Sequence, residues 1–317
     1  MIAQPNLRSP RFDPTRIRNN KTKLPLEGLC KCMLEIPDLK VFLLGGTDGN
    51  ITVWDSSSLK LKHTLNIHQG WVTAMTYVKS KGYLISSSSL NIAYVHKINE
   101  NFEIIEEKLQ IENEGAWIEE FLNLEEEGYI VSCSEAGLKF WNLNTLEEHF
   151  TIRNLKADCY CKAYWEYFPK LHSIGFFYES GNIRFFNIRK KHWIHQMRLS
   201  PEFSNFTLVK FKKKNDLLVT LVNGDTIMLW KVGYQGIRLI KKVSIEDLSG
   251  GVIAVKGSKF LIGSDCMGKM CALDIFTGKC VKEIDLSLEP VNWLFLNNEK
   301  KIIVSNRDNQ IYSIQCD

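Results

Sequence analysis

The sequence predicts an all-β protein made from one repeated unit of four strands, and three observations carry this prediction. Short strand-like runs that carry a large apolar or aromatic residue recur along the chain. Their spacing stays between 41 and 46 residues, the length that four strands and their turns require. Most runs follow a turn rich in Gly, Asn or Asp, residues that accept the positive φ of tight hairpins. Seven copies at this period predict a single seven-bladed β-propeller of antiparallel four-stranded blades.

One strand in each copy fixes the alignment of the repeat. The seven runs cover residues 50–54, 91–95, 138–141, 182–186, 226–230, 270–273 and 310–314. Their key positions are residues 54, 95, 141, 186, 230, 273 and 314, with spacings of 41, 46, 45, 44, 43 and 41 residues. The implied units lie near residues 28–65, 71–110, 115–154, 159–200, 203–245, 250–287 and 290–316.

The repeated strand resembles that of the WD-repeat family. The matching dipeptides are Trp54-Asp55, with Trp141-Asn142, Phe186-Asn187 and Leu273-Asp274 as altered copies. His68 lies in a loop similar to the family's His-containing loop, although Ile67 replaces the usual glycine. The resemblance covers about residues 24–317 and implies a scaffold that binds other proteins. The family's Asp-His-Ser/Thr-Trp hydrogen-bond network cannot be complete here, because Val95 takes the tryptophan position in the blade that keeps His68 and Ser86.

The last unit has room for only three strands, and an open sheet edge there would be a liability. The resemblance implies that the other end of the chain supplies the fourth strand. We therefore divide the chain into an N-terminal arm, residues 1–23, and a propeller, residues 24–317. Residues 15–24 are expected to pair with residues 310–314.

The sequence has nine cysteines, an odd number, and no CxxC pair, which predicts reduced thiols. With no apolar leader, this predicts an intracellular, cytoplasmic protein. A nuclear or cytoskeletal location is the alternative. Cys30 and Cys32, like Cys159 and Cys161, are two residues apart, so each pair is expected to share one face of a strand inside the core. Metal binding is the alternative for these pairs, but no metal and no cofactor are expected. No apolar stretch approaches the roughly 20 residues that span a bilayer.

Catalytic motifs are absent from the sequence. It contains no GxSxG elbow, no GxxxxGK[ST] phosphate loop and no HExxH zinc helix. We therefore expect a protein that is not an enzyme. An active site in the central channel is the alternative, since propellers can host one.

Two tryptophans mark a candidate partner site. In the strand order that the resemblance implies, loops that join the fourth strand to the next first strand, and the second strand to the third, lie at one end of the ring. We call this end the top and the other the bottom. Trp71 and Trp117 each come just before the first strand of a blade, at the top mouth of the channel, and His68 precedes Trp71. Neighbouring aromatic anchors favour a binding site, while packing between the blades is the alternative.

Charge is uneven along the chain. Residues 100–127 contain eleven glutamates against one lysine, and residues 153–242 contain 17 Lys/Arg against six Asp/Glu. The basic clusters Arg189, Lys190, Lys191 and Lys212, Lys213, Lys214 are expected to merge in bottom turns of neighbouring blades, beside the glutamates of residues 125–127 and 147–148.

The function that these features predict is a non-catalytic scaffold for protein partners in a multi-subunit assembly, without self-association. The basic clusters leave binding of RNA, DNA or acidic lipid as an alternative.

Overall fold

The protein is described by a computed structural model that covers most of the chain. The described residues are 13–24, 28–112, 116–153, 163–178, 182–198, 206–211, 217–222, 225–233, 236–245, 248, 252–255, 258–265, 267–286, 290–296, 300–306, 308 and 310–316. Within these ranges the chain forms 28 strands, four short 3-10 helices and no α-helix.

The strands form seven four-stranded antiparallel sheets, numbered here as blades in chain order. The chain begins with β1 (Ile17–Leu24). Blade one contains β2 (Cys30–Ile36), β3 (Val41–Gly46), β4 (Asn50–Asp55) and β5 (Leu61–Asn66). Blade two contains β6 (Val72–Val78), β7 (Tyr83–Ser88), β8 (Ile92–Ile98) and β9 (Ile104–Glu112). Blade three contains β10 (Ile118–Leu124), β11 (Tyr129–Ser134), β12 (Gly137–Asn142) and β13 (Glu148–Arg153).

The remaining blades repeat this order. Blade four contains β14 (Ala163–Phe168), β15 (Ser173–Tyr178), β16 (Asn182–Asn187) and β17 (His192–Arg198). Blade five contains β18 (Phe206–Phe211), β19 (Leu217–Val222), β20 (Thr226–Gly233) and β21 (Gly236–Ser244). Blade six contains β22 (Val252–Ala254), β23 (Phe260–Ser264), β24 (Lys269–Asp274) and β25 (Cys280–Asp285). Blade seven contains β26 (Pro290–Leu296), β27 (Lys301–Asn306) and β28 (Ile311–Cys316). The fold is the predicted seven-bladed β-propeller.

The fourth strand of blade seven comes from the N-terminal segment. Its sheet has the order β1-β28-β27-β26, with Lys21 opposite Ile314 and Leu24 opposite Ile311. The predicted pairing is therefore present, with the strand starting at Ile17 after a short 3-10 helix. This arrangement covers the edge of β28 that three strands alone would leave unpaired.

A β-bulge recurs at the key position of the repeat. In blade one the outer strand has one extra residue, Lys62, between the partners of Val53 and Trp54. The same irregularity lies at key positions 141, 186, 230 and 273. In blade two it lies between Val95 and His96, so His96 is the equivalent of Trp54. The alignment on Val95 was wrong by one residue, because apolar character alone favoured the valine.

A second bulge recurs near the start of the inner strand. Lys31 is the extra residue in β2, so Cys30 lies opposite Gly46 and Cys32 opposite Gly45. The two cysteines therefore lie on opposite faces of the sheet and not on the same face as predicted. Cys30 is part of the core between blades seven and one, whereas Cys32 packs against the core between blades one and two. Cys159 and Cys161 lie outside the described residues.

The second residue of the family's dipeptide caps the turn that follows it. Asp55 Oδ1 accepts hydrogen bonds from the backbone N–H groups of Ser57 and Ser58 at 3.1 and 2.8 Å. These bonds, together with those from the Ser57 and Ser58 hydroxyl groups, lower the pKa of Asp55 to about 2. Asn142 and Asp274 accept equivalent backbone hydrogen bonds in blades three and six. Asp and Asn both supply the acceptor oxygen that such a turn requires, which explains why either residue follows the key position.

Apolar residues fill the spaces between adjacent sheets. Between blades three and four, for example, Val131 and Phe140 of one sheet lie in the same core as Phe176 of the next. The core between blades seven and one joins Leu24 and Ile311 to Trp54. Adjacent sheets thus bury their faces against each other, including the last sheet against the first.

The structure contains one disulfide among the described residues. It joins Cys271 of β24 to Cys280 of β25, whose Cα atoms are 5.9 Å apart. The prediction that all cysteines are reduced thiols is therefore wrong for this pair, which two adjacent strands bring within bonding range. Cys30, Cys32 and Cys133 are free thiols.

Deleting residues 1–24 should lower the stability of the whole propeller. Both Ile17 and Leu24 are buried, and burying two such side chains is worth about 3–6 kcal/mol. We expect a lower melting temperature in differential scanning calorimetry than for a matched chain that lacks only residues 1–12. Equal melting temperatures for the two truncated chains would show that β1 does not stabilise the ring.

A candidate partner surface at the top mouth

Three exposed apolar residues occupy the same position in consecutive blades. Leu29, Trp71 and Trp117 each lie one residue before the inner strand of blades one, two and three. Trp71 is 45% exposed and Trp117 is 51% exposed, and Leu29 is also exposed. The chain reaches each of these positions from a loop at the top of the propeller. The three side chains therefore form an arc at the channel mouth, which we call the top arc.

The two indoles of the top arc contact each other. Their ring centroids are 6.4 Å apart with an interplanar angle of 65°, an edge-to-face arrangement. The backbone of Trp71 is held by Ser89, because its N–H donates to Ser89 Oγ at 3.0 Å and its carbonyl accepts from the Ser89 N–H at 2.9 Å. Packing between blades, the alternative interpretation, would bury both rings. The observed exposure instead leaves two fixed aromatic surfaces in contact with water.

Two further residues extend the top arc. The ammonium group of Lys31 lies over the Trp71 ring, 4.7 Å from its centroid. Leu90, in the turn between β7 and β8, is exposed and lies beside Gly70, where an added Cβ would come within 2.8 Å of the leucine Cγ. Gly70 therefore gives Leu90 room to lie next to the loop that carries Trp71.

His68 belongs to the inside of blade two and not to the partner surface. Its side chain is 8% exposed, and its Nε2 forms a hydrogen bond of 2.8 Å with Ser86 Oγ. Burial, with a smaller effect of the nearby His96, lowers the pKa of His68 to about 4. The structure corrects the expectation that His68 contacts a partner, because a neutral imidazole buried inside the blade cannot reach a partner.

A carboxylate cluster lies below Trp117 on the inner strands, and the sequence reasoning missed it. Glu119 is the bulged residue of β10, and Glu120 follows it with its Oε2 accepting from Trp165 Nε1 of β14 at 2.6 Å. Loss of solvation beside the inner strands raises the pKa of Glu120 to about 7. The Trp165 hydrogen bond opposes this rise, and the Glu166 and Glu119 carboxylates add to it. Both Glu119 and Glu120 remain exposed to water. The sequence signal was the Glu-Glu pair that begins two residues after Trp117.

The basic cluster of blade four is partly neutralised by blade three. Glu127, whose side chain is 5% exposed, accepts from Arg189 Nε at 2.9 Å and from Tyr167 Oη at 2.8 Å. His172 Nδ1 lies 2.5 Å from the same carboxylate. Burial alone would raise the pKa of Glu127, but the hydrogen bonds from Arg189, His172 and Tyr167 outweigh it and lower the pKa. Arg189 therefore joins two blades.

The other basic residues differ in their surroundings. Lys191 Nζ donates to His149 Nε2 at 3.1 Å and lies over the Phe150 ring of blade three. Lys190 is exposed at the turn. Lys212, Lys213 and Lys214 lie outside the described residues, so their merging with this cluster stays a prediction. Glu125 contacts blade two, where it accepts from the backbone N–H groups of Lys79 and Ser80.

Two further properties hold within the described ranges. These ranges contain no group of three or more His, Cys, Asp or Glu side chains arranged to hold a metal ion. In the same ranges, no helix has the length and apolar character needed to cross a membrane.

Comparison with known proteins identifies the fold. No protein-family model and no curated protein matches the sequence. Among solved structures, the chain is similar to the Cps50 (Swd1) β-propeller domain of Myceliophteria thermophila. The similarity has a TM-score of 0.75 at 12% sequence identity and covers 93% of this chain and 99% of that chain. At this identity it establishes the β-propeller fold that the WD-repeat resemblance implies.

Replacing Glu127 with glutamine should weaken the contact between blades three and four. The neutral side chain keeps one acceptor oxygen but loses the ionic bond to Arg189, at an expected cost of about 1–3 kcal/mol in the free energy of unfolding. Glu126→Gln is the matched control, because Glu126 is exposed in the same turn. Urea denaturation would measure both variants. Similar midpoints for the two would show that the Glu127 contacts add nothing to stability.

Acid should destabilise the wild-type chain more than the His68→Gln variant. The folded pKa of His68 is about 4, below the ordinary 6.5, so only the unfolded state takes up a proton as pH falls through this interval. The wild type should therefore lose about 2 kcal/mol more free energy of unfolding between pH 7 and pH 5 than the variant. Urea denaturation at several pH values measures this difference. Parallel pH profiles would contradict burial of a neutral imidazole.

Proposed function

We propose that this chain is a non-catalytic scaffold that holds a protein partner at its top mouth, as a subunit of a larger assembly. The observation that carries the proposal is the top arc, in which Trp71 and Trp117 contact each other while half of each ring faces water. Contiguous exposed apolar surface lowers the solubility of a domain, and such patches commonly mark interaction sites.

The geometry of the top arc supports binding in two ways. The indoles hold each other and Ser89 fixes the backbone of Trp71, so little side-chain entropy is lost when a partner covers them. Large aromatic rings at the centre of an interface also contribute much of its binding energy. Leu29 and Leu90 extend the apolar surface around this centre.

The alternative of nucleic-acid or acidic-lipid binding has less support among the described residues. A phosphate-binding patch needs cationic groups that are free to approach the ligand. Arg189 and Lys191 instead contact Glu127 and His149 of blade three. An enzyme with its active site in the channel would need a nucleophile or an acid–base pair, and we assign no such role to any described residue.

We also place the scaffold inside the cell. The free thiols Cys30, Cys32 and Cys133 support this placement, because a reducing compartment preserves thiols. By contrast, Cys271 and Cys280 form a disulfide.

Replacing Trp71 and Trp117 with alanine should abolish partner capture without unfolding the propeller. Affinity purification of tagged chains from a cell lysate, followed by quantitative mass spectrometry, would compare the wild type with the double variant. Since the rings are half exposed, the free energy of unfolding should change by about 0.5 kcal/mol or less.

Phe276→Ala supplies the matched control, because it removes an exposed aromatic ring from the bottom turn between β24 and β25. This variant should keep every partner. Unchanged partners for a folded double tryptophan variant would refute the top site, and a loss of several kcal/mol in stability would show that the indoles are structural.

A further inference from the structure

We propose that the Cys271–Cys280 disulfide is a reversible thiol-exchange site, at which a small thiol that carries carboxylate groups, of the glutathione type, forms a mixed disulfide with Cys280. The inference goes beyond the scaffold and does not depend on the top arc, because it concerns the two outer strands of blade six. It follows from a cavity beside the disulfide, the unequal exposure of the two cysteines, and the charges of the cavity wall.

A cavity of about 480 Å³ lies beside the disulfide. Both Cys271 and Cys280 line it, together with Leu273 and Gly278. Lys279, another residue of its wall, is exposed to water, so the cavity opens to solvent. Sites for small ligands in proteins have volumes of roughly 300–1,000 Å³. A molecule the size of a tripeptide thiol can therefore reach the disulfide.

Only one of the two sulfurs is easily reached by an incoming thiolate. Cys271 is 7% exposed and is part of the core between blades five and six. Cys280 is partly exposed and lies on the outermost strand, β25. Its Sγ is 3.2 Å from the Lys282 carbonyl oxygen, so the reduced thiol has an acceptor for its S–H group. Blade six can therefore accommodate Cys280 in either oxidation state.

Two of the free thiols have the opposite surroundings. Cys30 and Cys133 are buried in the cores between sheets. Burial raises the pKa of Cys30 to about 12 and also raises the pKa of Cys133. Thiol exchange requires a thiolate and access to it, so these two cysteines should not react and serve as internal controls.

The charges of the cavity wall suit glutathione, which has two carboxylates and one ammonium group. Lys269 and Glu283 line the cavity as an ion pair, with Nζ and Oε2 3.0 Å apart. Asp265 accepts two backbone hydrogen bonds within its own turn. Lys279 forms no ion pair among the described residues, so its ammonium group is available for a carboxylate. Because Lys279 directly precedes Cys280, a carboxylate bound there brings its thiol to this sulfur.

The exchange needs no reagent other than the thiol. The glutathione thiolate attacks Cys280 Sγ and forms a new S–S bond, while the Cys271–Cys280 bond breaks and its electron pair leaves on Cys271 Sγ, which takes up a proton. A second thiolate attacks the glutathione sulfur of the mixed disulfide, which releases oxidised glutathione and the Cys280 thiolate. Each step is reversible, so oxidised glutathione restores the protein disulfide.

The experiment exposes the full folded chain to buffers with increasing ratios of reduced to oxidised glutathione. Acid and an alkylating reagent stop the exchange, and peptide mass spectrometry identifies the state of each cysteine. The disulfide should open as the ratio rises, whereas Cys30 and Cys133 should never carry glutathione. Cys271→Ser removes the thiol that resolves the mixed disulfide, so glutathione should accumulate on Cys280. In Cys280→Ser, Cys271 should stay unmodified.

A charge variant tests recognition of the carboxylate. Lys279→Gln should slow the opening of the disulfide by reduced glutathione about two- to fivefold, the effect of one exposed ion pair. It should not change the rate with 2-mercaptoethanol, a neutral thiol. Lys282→Gln is the matched control, because Lys282 lies opposite Ala272 on the other face of the sheet and should react as the wild type does.

Three results would overturn the inference, provided that near-ultraviolet circular dichroism shows each variant to be folded. The first is a wild-type disulfide that persists in excess reduced glutathione and opens only in urea. The second is equal modification of Cys271 in Cys280→Ser and of Cys280 in Cys271→Ser. The third is the same rate with glutathione for Lys279→Gln and Lys282→Gln.

Discussion

Burial of both sheet faces against neighbouring sheets is the constraint on which the rest of this molecule depends. A four-stranded antiparallel sheet with two apolar faces cannot be stable alone, so each blade requires one on either side. Leu24, Trp54 and Ile311 show the consequence at the join, where residues from three strands far apart in sequence fill one core. The ring geometry then places seven inner strands around a channel, and the top arc lies at its mouth.

Side-chain hydrogen-bond networks contribute less to the stability of this fold than the family resemblance implies. Blade two keeps the His68–Ser86 bond, while blade three keeps the Ser132–Trp141 bond, with Trp141 Nε1 donating to Ser132 Oγ at 2.9 Å. These two blades thus retain different parts of the network. Sheets that lack it still pack, because the apolar cores supply the stabilisation and the capping residues Asp55, Asn142 and Asp274 preserve the turns.

Sequence periodicity was sufficient for the blade number, and the WD-repeat resemblance supplied the strand order and the origin of the fourth strand of blade seven. Periodicity was insufficient wherever an extra residue enters a strand. The bulge residue Lys31 separates Cys30 from Cys32, and a bulge one residue later than expected makes His96 the equivalent of Trp54. A sequence pattern of period two cannot show where such an extra residue lies, because the position of a bulge depends on the backbone pairing between two strands. The position of the tryptophans was predictable from the repeat. The contacts of Glu127 and Glu120 were not, because they join blades whose relative placement no local pattern specifies.

The pairing of β1 with β28 in blade seven also has a consequence for folding kinetics. Leu24 pairs with Ile311, so the contact that completes the last sheet joins residues from opposite ends of the chain. Such a contact has a high cost in loop-closure entropy unless the six intervening blades have already brought the ends together. During synthesis β1 is made before β28 and has no partner strand until β28 is complete. Closure of the ring by β1 can therefore follow only after the intervening blades have formed.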